Sequence, residues 1–259
     1  MKPPAPPKPP RLAITVDVEA DWCGVDTRGI DEMLPRLLER LDRHATPATF
    51  FVVGQHAARF RRHVAPHDRH EVGSHSQQHR VLTRLDNHHL QRELVESKQA
   101  LEALGYDVHG FRAPFLRTPA GLLRQLDAAG YRYDSSLGSV VPGPQNLYAA
   151  WRYGLGKSLI QRVGPSLLRD RVTPYSLTWL RLYGRLGRAL LPRGDAVFYC
   201  HLHEFLPASR GVAGWPAPVR WLHRRRVGDA AWRILDGLLT QPHRFVTCRQ
   251  MLADRAPLP

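Results

Sequence analysis

The chain has few cysteines, and their placement excludes two common kinds of site. Cys23, Cys200 and Cys248 are the only three in 259 residues. They lie far apart, form no Cys-x-x-Cys pair and are odd in number. Neither a disulfide framework nor a thiolate zinc cluster is therefore expected, and this cysteine usage favours a reducing compartment.

Long apolar runs are also absent. No window approaches 18 uninterrupted apolar residues, so we expect no membrane span. Residues 1–10, MKPPAPPKPP, lack the apolar segment of a signal peptide and are typical of an extended, disordered arm. These features predict a cytoplasmic protein. They are also compatible with peripheral contact at the inner face of a membrane.

Lysine is scarce as well. It supplies only four of the 37 basic residues behind a net charge of +14, in a chain rich in Ala, Leu and Pro. This pattern favours biased coding of arginine over a dedicated surface for nucleic acid, so no nucleic-acid partner is expected. A basic face would still favour acidic lipids or glycans. A non-catalytic protein that binds polyanions is the alternative of another class.

Short β-branched or aromatic runs alternate with amphipathic segments along the chain. LAITV, ATFFVVG and EVGSH are predicted strands, and helical spacing marks residues 30–41, 90–104, 120–129 and 229–239. Further short strands are predicted at 108–111, 131–133, 196–200 and 245–248. Strands that alternate with helices indicate parallel βα units, and about seven strands favour a closed or nearly closed α/β barrel. The acidic stretch DVEADWCG stands where a dinucleotide fold would need glycines.

The domain prediction has three parts. Residues 1–10 form the arm, and residues 11–256 form a single catalytic domain. Residues 140–195, with scattered Trp, Arg, Pro and Gly, are predicted to be an irregular insertion of loops and helices within that domain.

Polar residues that could carry chemistry follow several of the predicted strands. They are Asp17 and Glu19 after LAITV, His75 and His79 after EVGS, Arg112, Asp134 and His201. In βα barrels, the loops at the carboxyl ends of the strands gather the reactive groups. One carboxylate with two histidines makes a metal site with open positions for water and substrate. The four-residue spacing of the histidines is that of one helical turn, so both imidazoles could face one point. Asp17 and Glu19 are two apart, so in a continuing strand they point the same way.

The other groups complete a hydrolytic set. The second carboxylate can act as general base on a water, an arginine can keep that base ionised and oriented, and a histidine can protonate a departing amine. The sequence therefore predicts hydrolysis of an amide or a similar acyl bond.

The series TVDVE, HSQQH, FRAPF, YDSS and FYCHLHEF resembles the polysaccharide deacetylases, the NodB-homology or carbohydrate esterase family 4 group. The resemblance extends from about Arg11 to Phe205 and implies a distorted (β/α)7 barrel that binds one divalent metal, usually zinc, with cobalt or manganese as alternatives. It implies removal of an N-acetyl group from an amino sugar of a glycan or glycoconjugate.

Individual roles follow from the same resemblance. It assigns Asp17 as catalytic base and Arg112 as the residue that orients it. The metal ligands it implies are His75 and His79 with Glu19, because the first motif is of the DVE type. It assigns Asp134 to the tuning of the catalytic histidine.

The remaining motifs leave one choice open. Pro114 and Phe115 stand where the family directs a backbone N–H toward the oxyanion, although tyrosine is usual at the second position. Two alignments of FYCHLHEF select either His201 or His203 as the general acid, and the aromatic pair together with the following glutamate favours His201.

Two other substrates fit the same chemistry. One is a lipid-linked aminoarabinose that carries a formyl group, and the other is the substrate of an allantoinase-like amidohydrolase. A lipid-linked sugar would suit the basic surface and the expected cytoplasmic location.

Overall fold

The computed structural model describes residues 8–21, 24–136, 161–166, 169–170, 173–207 and 217–253. Its centre is a parallel sheet of eight strands: β1 (Arg11–Val18), β2 (Ala48–Val52), β3 (Glu71–Ser74), β4 (Gly110–Phe111), β5 (Tyr133–Asp134), β6 (Gln161–Arg162), β7 (Ala196–His201) and β8 (Arg244–Phe245). The helices of the described residues are α1 (Leu34–Arg43), α2 (Ala57–Arg61), α3 (Asn87–Glu102), α4 (Leu122–Ala128), α5 (Leu177–Tyr183), α6 (Arg185–Ala189), α7 (Ala217–Arg224), α8 (Asp229–Leu239) and α9 (Cys248–Ala253).

The strands run in the order β6-β5-β4-β3-β2-β1-β7, and β8 pairs with the start of β1. The sheet is curled. The chain just after β6 reaches the far edge strand, where the Ser166 amide donates to the Val197 carbonyl and the Val197 amide donates to the Ser166 hydroxyl, both at 2.9 Å. The prediction of a distorted α/β barrel is confirmed.

Strand β1 is buried on both faces, as expected of a central parallel strand. Leu12, Ile14, Val16 and Val18 pack in the large core beneath the helices, while Ala13 belongs to a second cluster with Phe51, Val197 and Met251. Helix α9 contributes to that second cluster and so covers one end of the barrel interior. Because strand side chains alternate, the row that starts at Ala13 continues through Thr15 to Asp17.

The four helices predicted from sequence periodicity are present within a few residues of their predicted bounds, as α1, α3, α4 and α8. Helix α8 has the predicted bounds, and α3 begins after Asp86, whose side chain accepts from the His89 amide. Helix α1 begins at Leu34, immediately before Pro35, because proline is tolerated only in the first turn of a helix. A π-helical turn at Gly29–Met33 precedes it.

The C-terminal half differs from its prediction in two ways. Strand β6 was not predicted, and the strand predicted at 245–248 ends at Phe245, with α9 beginning at Cys248. The described residues of the predicted insertion of loops and helices at 140–195 include α5, which packs against β7 and α8. Most of residues 1–10 and residues 137–160 lie outside the described part of the chain. Among the described residues, no helix combines the length and the apolar composition needed to cross a bilayer.

Candidate active site

Two carboxylates stand at the carboxyl end of β1. Asp17 is the last interior-facing residue of the strand and is 3% exposed, and Glu19 follows just beyond it. His75 Nε2 lies 4.0 Å from Asp17 Oδ2 and 3.5 Å from Glu19 Oε2. Both carboxylates therefore reach the same imidazole, as the two-residue alternation of a strand requires.

The segment that carries the two histidines is a loop and not the helical turn that a four-residue spacing would also fit. His75 follows directly after β3, and the chain then turns through Ser76 and His79, whose φ angles are 65° and 56°. A left-handed conformation at two residues is incompatible with an α-helix. The two imidazoles nevertheless converge, with ring centroids 5.0 Å apart.

Glu93 of α3 holds this loop in place. Its Oε2 accepts hydrogen bonds at 2.8 Å from the amides of both Gln77 and Gln78, and its side chain is buried. The Ser76 hydroxyl accepts from the His79 amide at 3.1 Å. Sequence reasoning missed Glu93, because an acidic residue on an amphipathic helix looks like a solvated one.

Glu19, His75 and His79 form a group whose ligand atoms all lie within 4.8 Å of one another. His75 Nδ1 is hydrogen bonded to the Arg112 carbonyl at 2.8 Å, and because that carbonyl can only accept, Nδ1 carries the proton. The Nε2 lone pair therefore faces Glu19. His79 Nε2 is buried 2.5 Å from Glu19 Oε2 yet has no aligned hydrogen-bond partner among the described residues. Two imidazole nitrogens and one carboxylate that converge in this way fit a divalent transition metal.

The protonation of Glu19 agrees with a ligand role. Burial alone would raise the pKa of this carboxyl group, but its contacts with the imidazoles of His75 and His79 hold the pKa well below its ordinary value. Glu19 is therefore ionised, the form in which a carboxylate binds a metal.

Arg112 lies at the end of β4 and is fully buried. Its Nη1 donates to Asp17 Oδ1 at 2.7 Å, and its Nη2 donates to the Ser135 hydroxyl at 2.8 Å. The guanidinium also stacks on the Phe51 ring at 4.2 Å. These contacts fix the plane of the Asp17 carboxylate and leave Oδ2 directed at His75 and His201.

His201, the last residue of β7, faces the same point from the opposite side. Its Nε2 lies 3.8 Å from Asp17 Oδ2, and its Nδ1 lies 3.2 Å from Glu204 Oε2. Burial would lower the pKa of His201, but the hydrogen bond with Glu204 and the charges of Glu19, Glu204 and Asp17 raise it to about 9. In the metal-free protein His201 is thus protonated at neutral pH.

His203 follows His201 in the sequence, on the side away from Tyr199. Its ring stacks on that of His201 with centroids 5.0 Å apart, and its Nδ1 is 3.9 Å from Glu19 Oε1. Burial and the neighbouring His201 lower the pKa of His203 to about 4, so it is neutral at neutral pH. A neutral, buried imidazole is a poorer proton donor than His201.

The resemblance assigns the tuning of His201 to Asp134. Asp134, at the end of β5, accepts from the amide and the hydroxyl of Ser136 at 3.0 and 2.5 Å. Glu204 is the carboxylate hydrogen bonded to His201, and the two are three residues apart. The sequence contained this signal as His-x-x-Glu, but the resemblance directed attention to Asp134. We expect Glu204 to be the residue that orients His201.

The cleft over these groups has a volume of about 520 Å³ and one apolar side. Phe115 is 49% exposed there, has a φ of 58°, and lies with its ring 4.8 Å from that of His79, while the preceding Pro114 is buried. Trp179 and Leu182 of α5 line the cleft as well. A polar floor with apolar walls suits a sugar ring or another amphipathic substrate.

Comparison with known proteins connects this geometry to one family. A sequence profile described as polysaccharide deacetylase matches residues 5–133. A peptidoglycan-N-acetylglucosamine deacetylase from Bacillus cereus is 27% identical over 92 residues, which are 35% of this chain and 32% of that protein. The aligned part thus spans about a third of the length of this relative.

Solved structures agree in fold. A protein from Mycobacterium smegmatis assigned to the polysaccharide deacetylases superposes with a TM-score of 0.61 at 20% identity, over 97% of this chain and 92% of its own. The peptidoglycan deacetylase PdaC from Bacillus subtilis gives a TM-score of 0.50 at 17% identity, over 96% of this chain and 93% of its own. With the profile match and the shared barrel, the chain belongs to the polysaccharide deacetylase family.

Proposed function

We propose that this protein is a metal-dependent hydrolase that removes an N-acetyl or another N-acyl group from an amino sugar of a glycan or glycoconjugate. The observation that carries the proposal is the convergence of Glu19, His75 and His79 on one point beside Asp17. The donor set suits zinc, and cobalt or manganese would accept the same ligands. The Bacillus cereus relative, named a peptidoglycan-N-acetylglucosamine deacetylase, supports an amino-sugar substrate.

A divalent ion held by these three side chains would polarise the acyl carbonyl and lower the pKa of water. Asp17 is placed to accept the proton of the attacking water, since Arg112 occupies Oδ1 while Oδ2 faces His75 and His201. We assign the backbone N–H of Phe115, positioned by Pro114, to the developing oxyanion.

The leaving amine needs a proton, and His201 is the residue proposed to supply it. Its pKa is raised to about 9 in the metal-free protein, and its Nε2 lies 3.8 Å from Asp17 Oδ2 on the neighbouring strand, so the proposed acid and base stand side by side at the floor of the cleft. His203 remains the second candidate for this role.

Acetate release from N-acetylglucosamine oligosaccharides, measured with and without chelator, tests the proposal. We expect activity to disappear in chelator, and Asp17→Asn to abolish it with one metal still bound per chain. We expect His75→Ala to lose both metal and activity. The matched control is His88→Ala, which removes a histidine of the exposed group formed by Asp86, His88 and His89. Full activity in both Asp17→Asn and His75→Ala would disprove the mechanism.

A lipid-linked sugar is the second candidate substrate, for example an aminoarabinose that carries a formyl group. The exposed Phe115 and the Trp179–Leu182 wall favour it, because they could accommodate an apolar portion near the reacting amide. Leu186 and Trp221 are also exposed, and arginines flank them on α6 and α7, which would suit peripheral contact with an anionic inner membrane face from the cytoplasm.

A screen of membrane extracts against water-soluble glycans separates the two substrates. Turnover of the lipid fraction alone would select the lipid-linked sugar, and turnover of a small cyclic amide would select an allantoinase-like activity. Salt-sensitive polyanion binding, with no bound metal and no turnover, would instead select the non-catalytic alternative.

A further inference from the structure

Helix α5 carries a buried arginine that the catalytic residues do not include. Arg181 is 3% exposed, and its Nη1 donates to Glu204 Oε1 at 2.6 Å. Thr178 lies three residues earlier on the same face of the helix, and its hydroxyl donates to the same oxygen at 2.8 Å. One face of α5 thus holds one oxygen of Glu204 with two donors.

The other oxygen of Glu204 belongs to His201. Glu204 Oε2 accepts from the His201 amide at 3.0 Å and is hydrogen bonded to His201 Nδ1 at 3.2 Å. Each carboxylate oxygen therefore faces two donors, and the plane of the carboxylate is fixed from both sides. An imidazole whose Nδ1 is held in this way can direct only Nε2 into the cleft.

The guanidinium of Arg181 is itself clamped. Its Nε and Nη2 donate to the carbonyl of Arg225 at 3.1 and 2.9 Å, and Nη2 also donates to the carbonyl of His223 at 3.2 Å. These carbonyls belong to the chain at and just after the end of α7. The guanidinium cannot rotate away from Glu204 without losing these three hydrogen bonds, so its orientation is fixed.

We infer that Arg181 is a positioning residue for the reaction: through Glu204 it sets the orientation of His201 and aims His201 Nε2 at Asp17 and the cleft. The inference rests on the proposed function in one respect, the role of His201 as proton donor. It adds a residue of α5 to those that orient the proton donor. Thr178, Trp179 and Leu182 of the same helix also line the cleft. The substrate wall and the support of the acid are thus parts of one helix.

Arg181→Met and Arg181→Lys test the inference, with Arg11→Met as the matched control. Arg11 also makes a 2.6 Å ion pair with a carboxylate, that of Asp195, at the opposite end of β1 from the site. We expect Arg181→Met to lower kcat roughly 10- to 100-fold, the usual cost of losing a residue that orients a reactive group. KM should change by less than about threefold, since the interaction acts on the chemical step.

Arg181→Lys should recover part of kcat, because a lysine still supplies one charged donor. If Arg181→Met proves unstable, Thr178→Val removes one of the two donors to the same Glu204 oxygen and should lower kcat in the same direction by less. Arg11→Met should leave kcat unchanged whatever it does to stability. Equal kcat in wild type, Arg181→Met and Thr178→Val would overturn the inference. A rise in KM with no change in kcat would overturn it as well.

A second measurement does not require turnover. In imidazole ¹⁵N spectra, the His201 signals are identified by their loss in His201→Gln, and we expect them to shift in Arg181→Met and not in Arg11→Met. Shifted signals in a protein without deacetylase activity would refute the proposed function and support the positioning role. Unshifted signals in an active enzyme would refute the positioning role alone.

Discussion

The ion pair between Asp17 and Arg112 offers the sharpest test of how the site is built. Both side chains are almost completely buried, at 4% and 0% exposure, and their 2.7 Å contact joins the ends of β1 and β4. Replacing Arg112 by methionine leaves the Asp17 carboxylate buried without its counter-charge and leaves the Ser135 hydroxyl without its donor. We expect a loss of about 3–5 kcal/mol in the free energy of unfolding, the range for a broken buried pair.

A double-mutant cycle isolates the pair. Asp17→Asn with Arg112→Met should be more stable than the sum of the single losses indicates, by roughly 0.5–3 kcal/mol, because the amide no longer needs a counter-charge. Denaturant unfolding of chelator-treated protein is the assay, since a bound metal would itself compensate Asp17. The double variant should remain inactive. Additive losses within about 0.5 kcal/mol would refute the reasoning that Arg112 acts through the Asp17 charge.

Three further predictions follow from other parts of the structure. Glu93→Gln should weaken metal binding roughly 10- to 100-fold, measured by calorimetry, because the Gln77 and Gln78 amides lose their shared carboxylate acceptor. Glu96 is half-exposed on the same helix, so Glu96→Gln is the control and should leave metal binding unchanged. Gly54→Ala should destabilise the fold by about 1–3 kcal/mol, since a Cβ would collide with Gln77 Oε1 and lie 2.9 Å from Ser97 Cα, whereas Gly237→Ala meets nothing within 4 Å and should be neutral or stabilising. The folded-state pKa of His201 is about 9, above its ordinary 6.5, so in metal-free protein its charge stabilises the fold below pH 6.5 and that contribution disappears as the pH rises through 9. The stability difference between wild type and His201→Gln should shrink over that range, and a difference that grows with pH would contradict the assignment.

The sequence contained enough to place several site residues. The alternation of β1 brings Asp17 and Glu19 to one face, and the position of each motif after a strand predicts a shared edge of the barrel. Helices with strong apolar spacing, such as α3 and α8, were predicted for the same reason, since their pattern is local. Short strands such as β6, with two residues, carry too little pattern to be identified.

The amino-acid sequence by itself determined the alternation of strands and helices, the identity of the reactive groups and their order along the chain. Only the tertiary structure decided which of them touch. Arg112 meets Asp17 across 95 residues, and Arg181 meets Glu204 across 23, because strand register and helix packing bring those positions together. The loop that aims His79 depends in the same way on Glu93, whose role exists only once α3 packs beside β3. Local pattern specifies elements, but contacts between distant elements depend on how the whole core packs, and that is a property of the fold as a unit.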